Sequence, residues 1–169
     1  AITIDPPPSH SATGVDAFGN PITRLEFDRP HQRLEVSAET TVEVRDRPLI
    51  SKSESWERVR TQLAYSGRPP GPERLEAVRY RCESPHVRIK QIFTDYAADC
   101  FPAGRSVIDC ADSLMHKLHD EMAYAPGETT VSTSLVEVLE KKRGVCQDYA
   151  HLMIACLRSR GLAARYVSG

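Results

Sequence analysis

Apolar and polar residues alternate at period two from Leu34 to Val44, with Leu34, Val36, Ala38, Thr40, Val42 and Val44 on one side and Glu35, Ser37, Glu39, Thr41 and Glu43 on the other. A strand sends successive side chains to opposite faces, so this pattern predicts one buried and one solvated face. Ile22 to Phe27 alternates in the same way. The Gly19-Asn20 pair ahead of it tolerates positive φ, which makes a hairpin the expected arrangement. A strand pair this short is marginal alone, so further strands upstream of residues 1–8 are expected.

The pattern weakens from Arg45 to Arg81. A Ser-rich stretch leads to Trp56, and Arg68-Pro69-Pro70-Gly71-Pro72 breaks helices and strands alike, so the segment is expected to connect two units. Beyond it the period becomes helical. Val87, Ile89, Ile92, Phe93, Tyr96 and Ala97 mark the inward stripe of a helix over 87–100. Val107, Ile108, Ala111, Leu114, Met115, Leu118 and Met122 do the same for a helix over 106–122. Tyr124-Ala125-Pro126-Gly127 then opens a polar loop. Ser134 and Glu137 have capping-box spacing at the start of a short helix, and Gly144 is the expected left-handed cap at its end.

The next helix, Val145 to about Arg160, is apolar nearly all round, as a helix in the middle of a domain must be. Gln147, His151 and Arg158 fall four and then seven residues apart, which predicts a single accessible edge. Cys146 lies in the first turn, at the tip of this greasy helix. There the backbone amides have no intrahelical acceptor and the positive end of the dipole favours a thiolate, the nucleophilic form of cysteine. The Cys146 amide could also donate to an oxyanion forming on an attacked carbonyl. Gly144 would let a substrate approach the backbone closely.

Composition narrows the classes of partner. The 169 residues carry 22 basic and 23 acidic side chains, mixed along the chain, for a net charge of −1. No extended field of one sign exists to draw nucleic acid or anionic lipid, so neither is an expected partner. No window approaches the ~20 apolar residues that cross a bilayer, and the N-terminal stretch reads as no export signal. The five cysteines form no Cys-x-x-Cys pair, which points to a reducing, cytoplasmic setting and gives neither a disulfide scaffold nor a zinc site. No metal or cofactor is expected.

The run from Gly144 through Val145, Cys146, Gln147, Asp148, Tyr149, Ala150 and His151 to Gly169 resembles the nucleophile segment of the transglutaminase-like superfamily. The stretch from Tyr124 to Leu135 is similar to what precedes that segment in bacterial members. Asp16-Ala17-Phe18-Gly19-Asn20 and the Leu34 to Val44 strand resemble their N-terminal β domain. The resemblance implies an α+β fold: a β-rich region with its linker over residues 1–80, and over 81–169 the helical part of a papain-like core. It implies a cysteine peptidase or acyltransferase in which Cys146 attacks a protein or peptide amide and forms an acyl thioester. Only the cysteine transfers by position. The family's histidine and aspartate lie downstream of the Tyr166-Val167-Ser168-Gly169 strand, where this sequence ends, so the chain by itself is expected to be inert in turnover.

No histidine within the chain offers an obvious replacement. His151 sits roughly 140° around the helix from Cys146. His116 and His119 read as solvated surface residues, His86 as a residue near a cap, and His10 and His31 as parts of the β region. Cys82, Cys100, Cys110 and Cys156 read as small hydrophobes. Asp148 suits the helix dipole as a cap, Tyr124 suits a cleft wall or packing beneath the loop, and Arg165 is either a substrate contact or a solvent-facing strand residue. A non-catalytic binding or assembly module on the same fold remains the alternative. An exposed sheet edge leaves homo-oligomerisation open.

Overall fold

The computed structural model describes residues 2–45, 52–67, 71–130 and 132–167. The architecture is α+β, and the chain divides into two compact units, Ala1–Pro48 and Leu49–Gly169. No described helix is long and apolar enough to cross a membrane.

The first unit holds four short strands in two antiparallel pairs. Strands β2 (His10–Val15) and β3 (Pro21–Glu26) form the expected hairpin. Its turn is held by Asp16, whose carboxylate accepts the Phe18 amide at 2.7 Å and the Asn20 amide at 2.9 Å, with Gly19 at φ 83°. The Asn20 side-chain amide, which donates to Asp16 Oδ2 at 2.9 Å, does most to hold the Asp16 carboxyl below its ordinary pKa, and the backbone amides add to it. β1 (Ile2–Asp5) pairs with β4 (Glu35–Ala38), placing Ile4 opposite Val36 and Thr3 opposite Ser37. The alternation that predicted a strand to Val44 therefore yields one only to Ala38. Its apolar side is not buried either: Val36 is 53% exposed and Val44 91%.

The second unit begins earlier than the sequence implied. Residues expected to act as linker instead form α1 (Trp56–Leu63) and α2 (Pro72–Arg79). Residues 68–70 of the expected breaker lie outside the described residues, and Gly71 and Pro72, which complete it, serve as N-cap and first residue of α2. Proline suits that position because its missing N–H would have no partner there. Trp56 anchors α1. It is buried, it meets Phe101 edge to face at 5.7 Å, and its indole Nε1 donates to the Pro102 carbonyl at 3.0 Å. An aromatic of this size outweighs the weak periodicity around it.

The remaining helices converge on one core. The helix expected over 87–100 is shorter, α3 (Gln91–Tyr96) followed by a 3-10 turn at Ala98–Cys100. α4 (Val107–Glu121) is capped by Ser106, and α5 (Leu135–Lys141) by Ser134, whose hydroxyl accepts from the Glu137 amide at 3.3 Å. The Glu137 carboxylate pairs with Lys141. α6 (Cys146–Ser159) packs against α3, α4 and α5, with Phe93, Leu114, Val138, Leu152 and Cys156 almost fully buried among them.

Directly after α4, β5 (Ala123–Tyr124) pairs in parallel with β6 (Arg143–Gly144), which joins α5 to α6. The left-handed residue here is Lys142, at φ 50° and ψ 39°, and not Gly144. Gly144 is needed for another reason. A Cβ on it would stand 2.8 Å from Asp148 Oδ2 and 2.9 Å from Asp148 Cβ, closer than atoms can approach.

After α6 the chain runs extended past Leu162, and Arg158 ties it down. Arg158 is buried, donates to the Ala164 carbonyl through Nε at 3.0 Å and Nη2 at 2.8 Å, and donates through Nη1 to the Cys82 carbonyl at 2.8 Å and to Ser84 Oγ at 3.1 Å. It is therefore a structural tie and not the accessible edge residue expected. No strand is assigned among residues 162–167, and residues 168–169 of the expected terminal strand lie outside the described residues. His151 reinforces the arrangement. Its ring stacks on His86 at 5.6 Å and 4°, and lies 5.4 Å from Tyr166.

Two outcomes follow from this packing. Gly144→Ala forces Asp148 or the junction to shift, and a loss of about 1–3 kcal/mol is expected for such overpacking, read from urea denaturation. Burial first, and the neighbouring His86 second, hold His151 below the ordinary histidine value of 6.5, with Arg158 acting the same way and Asp148 opposing. The folded state thus prefers the neutral ring. Its contribution is whole above about pH 6.5 and is lost as the pH falls through the lower folded value, so stability measured by thermal melts should decline on acidification. His151→Gln should flatten that decline.

Candidate active site

Cys146 is the first residue of α6, and its side chain is exposed. Val145, in extended conformation at φ −118° and ψ 176°, delivers the chain into the helix, and the first helical bond closes from the Tyr149 amide to the Val145 carbonyl at 3.1 Å. The amides of Cys146 and Gln147 thus belong to the first turn, where no intrahelical acceptor exists. Thiol sulfur and first-turn N–H groups share one end of the helix, the arrangement needed to attack a carbonyl and hold the oxygen as it gains charge.

Asp148 fixes that end. Its Oδ2 accepts the Val145 amide at 2.8 Å and the Thr129 hydroxyl at 2.7 Å, and the residue is only 8% exposed. The capping role expected of it is borne out. A carboxylate in the first turn also complements the dipole. Thr129 was not singled out from the sequence, because a loop threonine nineteen residues from its partner leaves no local signal. The loop it belongs to is held from both sides: Arg143 pairs with Glu128 at 2.7 Å, and the Ala125 amide donates to the Gly144 carbonyl at 2.9 Å. Gly144 accordingly serves the Asp148 side chain, whereas the sequence had suggested room for substrate.

Tyr149 lies one turn beyond Cys146. Its hydroxyl is enclosed without a hydrogen-bond partner among the described residues, and burial raises its pKa, with Asp148 and Tyr124 adding to the shift. Tyr124 itself is 66% exposed, at the junction beside Gly144.

A cleft of about 380 Å³ opens along the first two turns of α6, between the 85–90 and 130–136 segments. Gln147 and His151 line it, and so do Arg88 and Lys90. Past the His86 and His151 rings a second cavity of about 320 Å³ reaches Tyr166. The remaining histidines are peripheral. His116 Nδ1 lies 2.9 Å from the Asp112 carbonyl oxygen and His119 Nδ1 lies 3.1 Å from Asp120, both on exposed helix surface. Arg165 packs over the Tyr80 ring at 5.5 Å and lies 3.6 Å from Glu76, bracing α2.

The other thiols divide by burial. Cys100, Cys110 and Cys156 are buried, and desolvation pushes all three thiols up, Cys156 to about 12. Cys82 is exposed like Cys146, but it is not in a helix. Among the described residues no cluster of three or more metal-ligating side chains is formed.

Comparison with known proteins agrees with this geometry. Residues 94–169 match the family described as the transglutaminase-like superfamily, and residues 1–43 match the bacterial transglutaminase-like N-terminal region. An uncharacterised protein of Mycobacterium tuberculosis is 34% identical over 173 residues, covering 99% of this chain and 52% of the relative. One of Mycobacterium leprae is 30% identical over 164 residues, covering 96% and 55% respectively. The chain thus spans about half the length of the curated relatives it matches. Its fold is also that of the crystal structure of a putative cysteine protease from Cytophaga hutchinsonii, with a TM-score of 0.60 at 16% identity, covering 96% of this chain and 52% of that one. Residues 94–169, which hold Cys146, thus belong to the transglutaminase-like superfamily, and residues 1–43 to the bacterial transglutaminase-like N-terminal region.

Proposed function

We propose that the protein is a thiol enzyme acting on protein or peptide amide bonds, with Cys146 as nucleophile and hydrolysis as the outcome. The observation that carries this reading is the exposed sulfur at the first residue of a buried helix, beside amides that have no acceptor within the helix. The sulfur attacks the carbonyl carbon, the C–N bond breaks, the amine leaves with a proton, and a thioester remains for water to open. First-turn N–H groups steady the oxyanion in both halves. In the scheme that the family resemblance implies, a histidine with an aspartate partner handles the proton, and the resemblance matches neither to a position of this sequence. Stacking on His86 and Tyr166 gives His151 a structural task instead. In this reading Cys146 is the nucleophile, the first-turn amides are the oxyanion donors and Asp148 is the cap that holds them in place.

Cys82 is a built-in control, since it is exposed and lacks the helix tip. Under limiting iodoacetamide at neutral pH, peptide mapping by mass spectrometry should find Cys146 labelled faster than Cys82 by about threefold or more, with the three buried thiols far behind. Equal rates at the two exposed cysteines would remove the basis for the nucleophile.

A further inference from the structure

The cleft beside α6 has a charge and hydrogen-bonding character that the thiol chemistry does not use. Arg88 and Lys90 stand on one wall. Arg88 has a partner in Glu83 at 3.3 Å, but that one carboxylate is shared with the Ile89 amide at 2.8 Å and also acts on Lys90, which makes no closer ion pair among the described residues. Ser134, which also lines the cleft, already accepts from a backbone amide through its Oγ, so its proton is left to donate. The Gln147 amide adds a further donor. Asp148 is the only carboxylate among the lining residues, and its Oδ2 is turned to the Val145 amide and the Thr129 hydroxyl. Phe93, Leu135 and Val136 supply an apolar wall suited to a short aliphatic stem.

We infer that this cleft binds an anionic side chain of a polypeptide, a carboxylate or phosphate group carried near the bond to be cleaved. The inference rests on the proposed peptide substrate. Two cations and several neutral donors, against one lining carboxylate whose Oδ2 is taken by the Val145 amide and the Thr129 hydroxyl, make a site for an anion, and charge-assisted hydrogen bonds are the strong ones. Gln147 and His151 lie roughly 100° and 140° around the helix from Cys146, so the cleft flanks the reacting sulfur and does not contain it. A substrate would cross the helix tip with its amide at the thiol and its acidic group anchored to one side.

The test separates this binding from thiol chemistry by using the chain carrying Cys146→Ala. Its amide NMR spectrum is titrated with an acetylated, amidated hexaglutamate peptide, with the corresponding hexalysine peptide, and with inorganic phosphate. The expected result is saturable shifts at Gln147, His151 and Ser134 with hexaglutamate, none with hexalysine, and weakening by added salt. Arg88→Gln with Lys90→Gln should loosen hexaglutamate by about tenfold, the equivalent of one charge-assisted hydrogen bond, while circular dichroism stays unchanged. Lys142→Gln, an exposed cation outside the cleft, should leave binding as it was. Equal binding of hexalysine, or affinity indifferent to the double substitution, would overturn the inference. Shifts with phosphate alone would overturn it as well, leaving a site for a small free ion. Alkylation of Cys146 is read separately, so an unreactive thiol and an empty cleft are distinct failures.

Discussion

One buried carboxylate organises the end of α6 that carries Cys146. Asp148 accepts the Val145 amide just outside α6 and the Thr129 hydroxyl from a distant loop, both through the same oxygen. A buried carboxylate is costly unless it is hydrogen-bonded, so these contacts are a condition of its burial and not an addition to it. The same carboxylate forbids a side chain at residue 144. Three requirements at the helix tip thus reduce to one: Gly144 clears space, Asp148 fills it, and Cys146 is left facing solvent with the first-turn amides beside it. Loop 125–130, the bridge of β5 and β6 and the start of α6 are held in register by this arrangement.

The helical half was largely legible in the sequence because its stripes are buried. α4 and α6 fall within a residue of the expected limits, and α5 starts at the capping serine. The connection was misread because α1 owes its place to a single indole, packed on Phe101 and beneath the Arg160 guanidinium at 6.0 Å. A lone tryptophan among charged residues carries no periodicity. The strand expected to Val44 failed in the opposite way: the alternation is present, but only Glu35–Ala38 has a paired neighbour, and a strand exists only where its backbone is bonded.

Of the site, Cys146 and the capping aspartate could be read from local pattern, since both depend on position within one turn. The roles of Arg158 and His151 could not. Arg158 on an apolar helix suggests an exposed edge until its donors are matched to the Cys82 and Ala164 carbonyls. A buried guanidinium needs such partners, and they come from seventy-six residues upstream and six downstream. His86 gave no signal at all, since stacking on His151 depends on a turn meeting the helix side-on.

Lys142 has a further consequence. It caps α5 in the left-handed conformation, and only Arg143, Gly144 and Val145 separate it from the sulfur-bearing residue. Two of those three are bonded into the bridge with Ala123 and Tyr124. No slack remains for a hinge, so the sulfur cannot swing independently on a loop. It moves only as far as two packed helices move together, and any adjustment at this end of α6 falls to the surrounding walls.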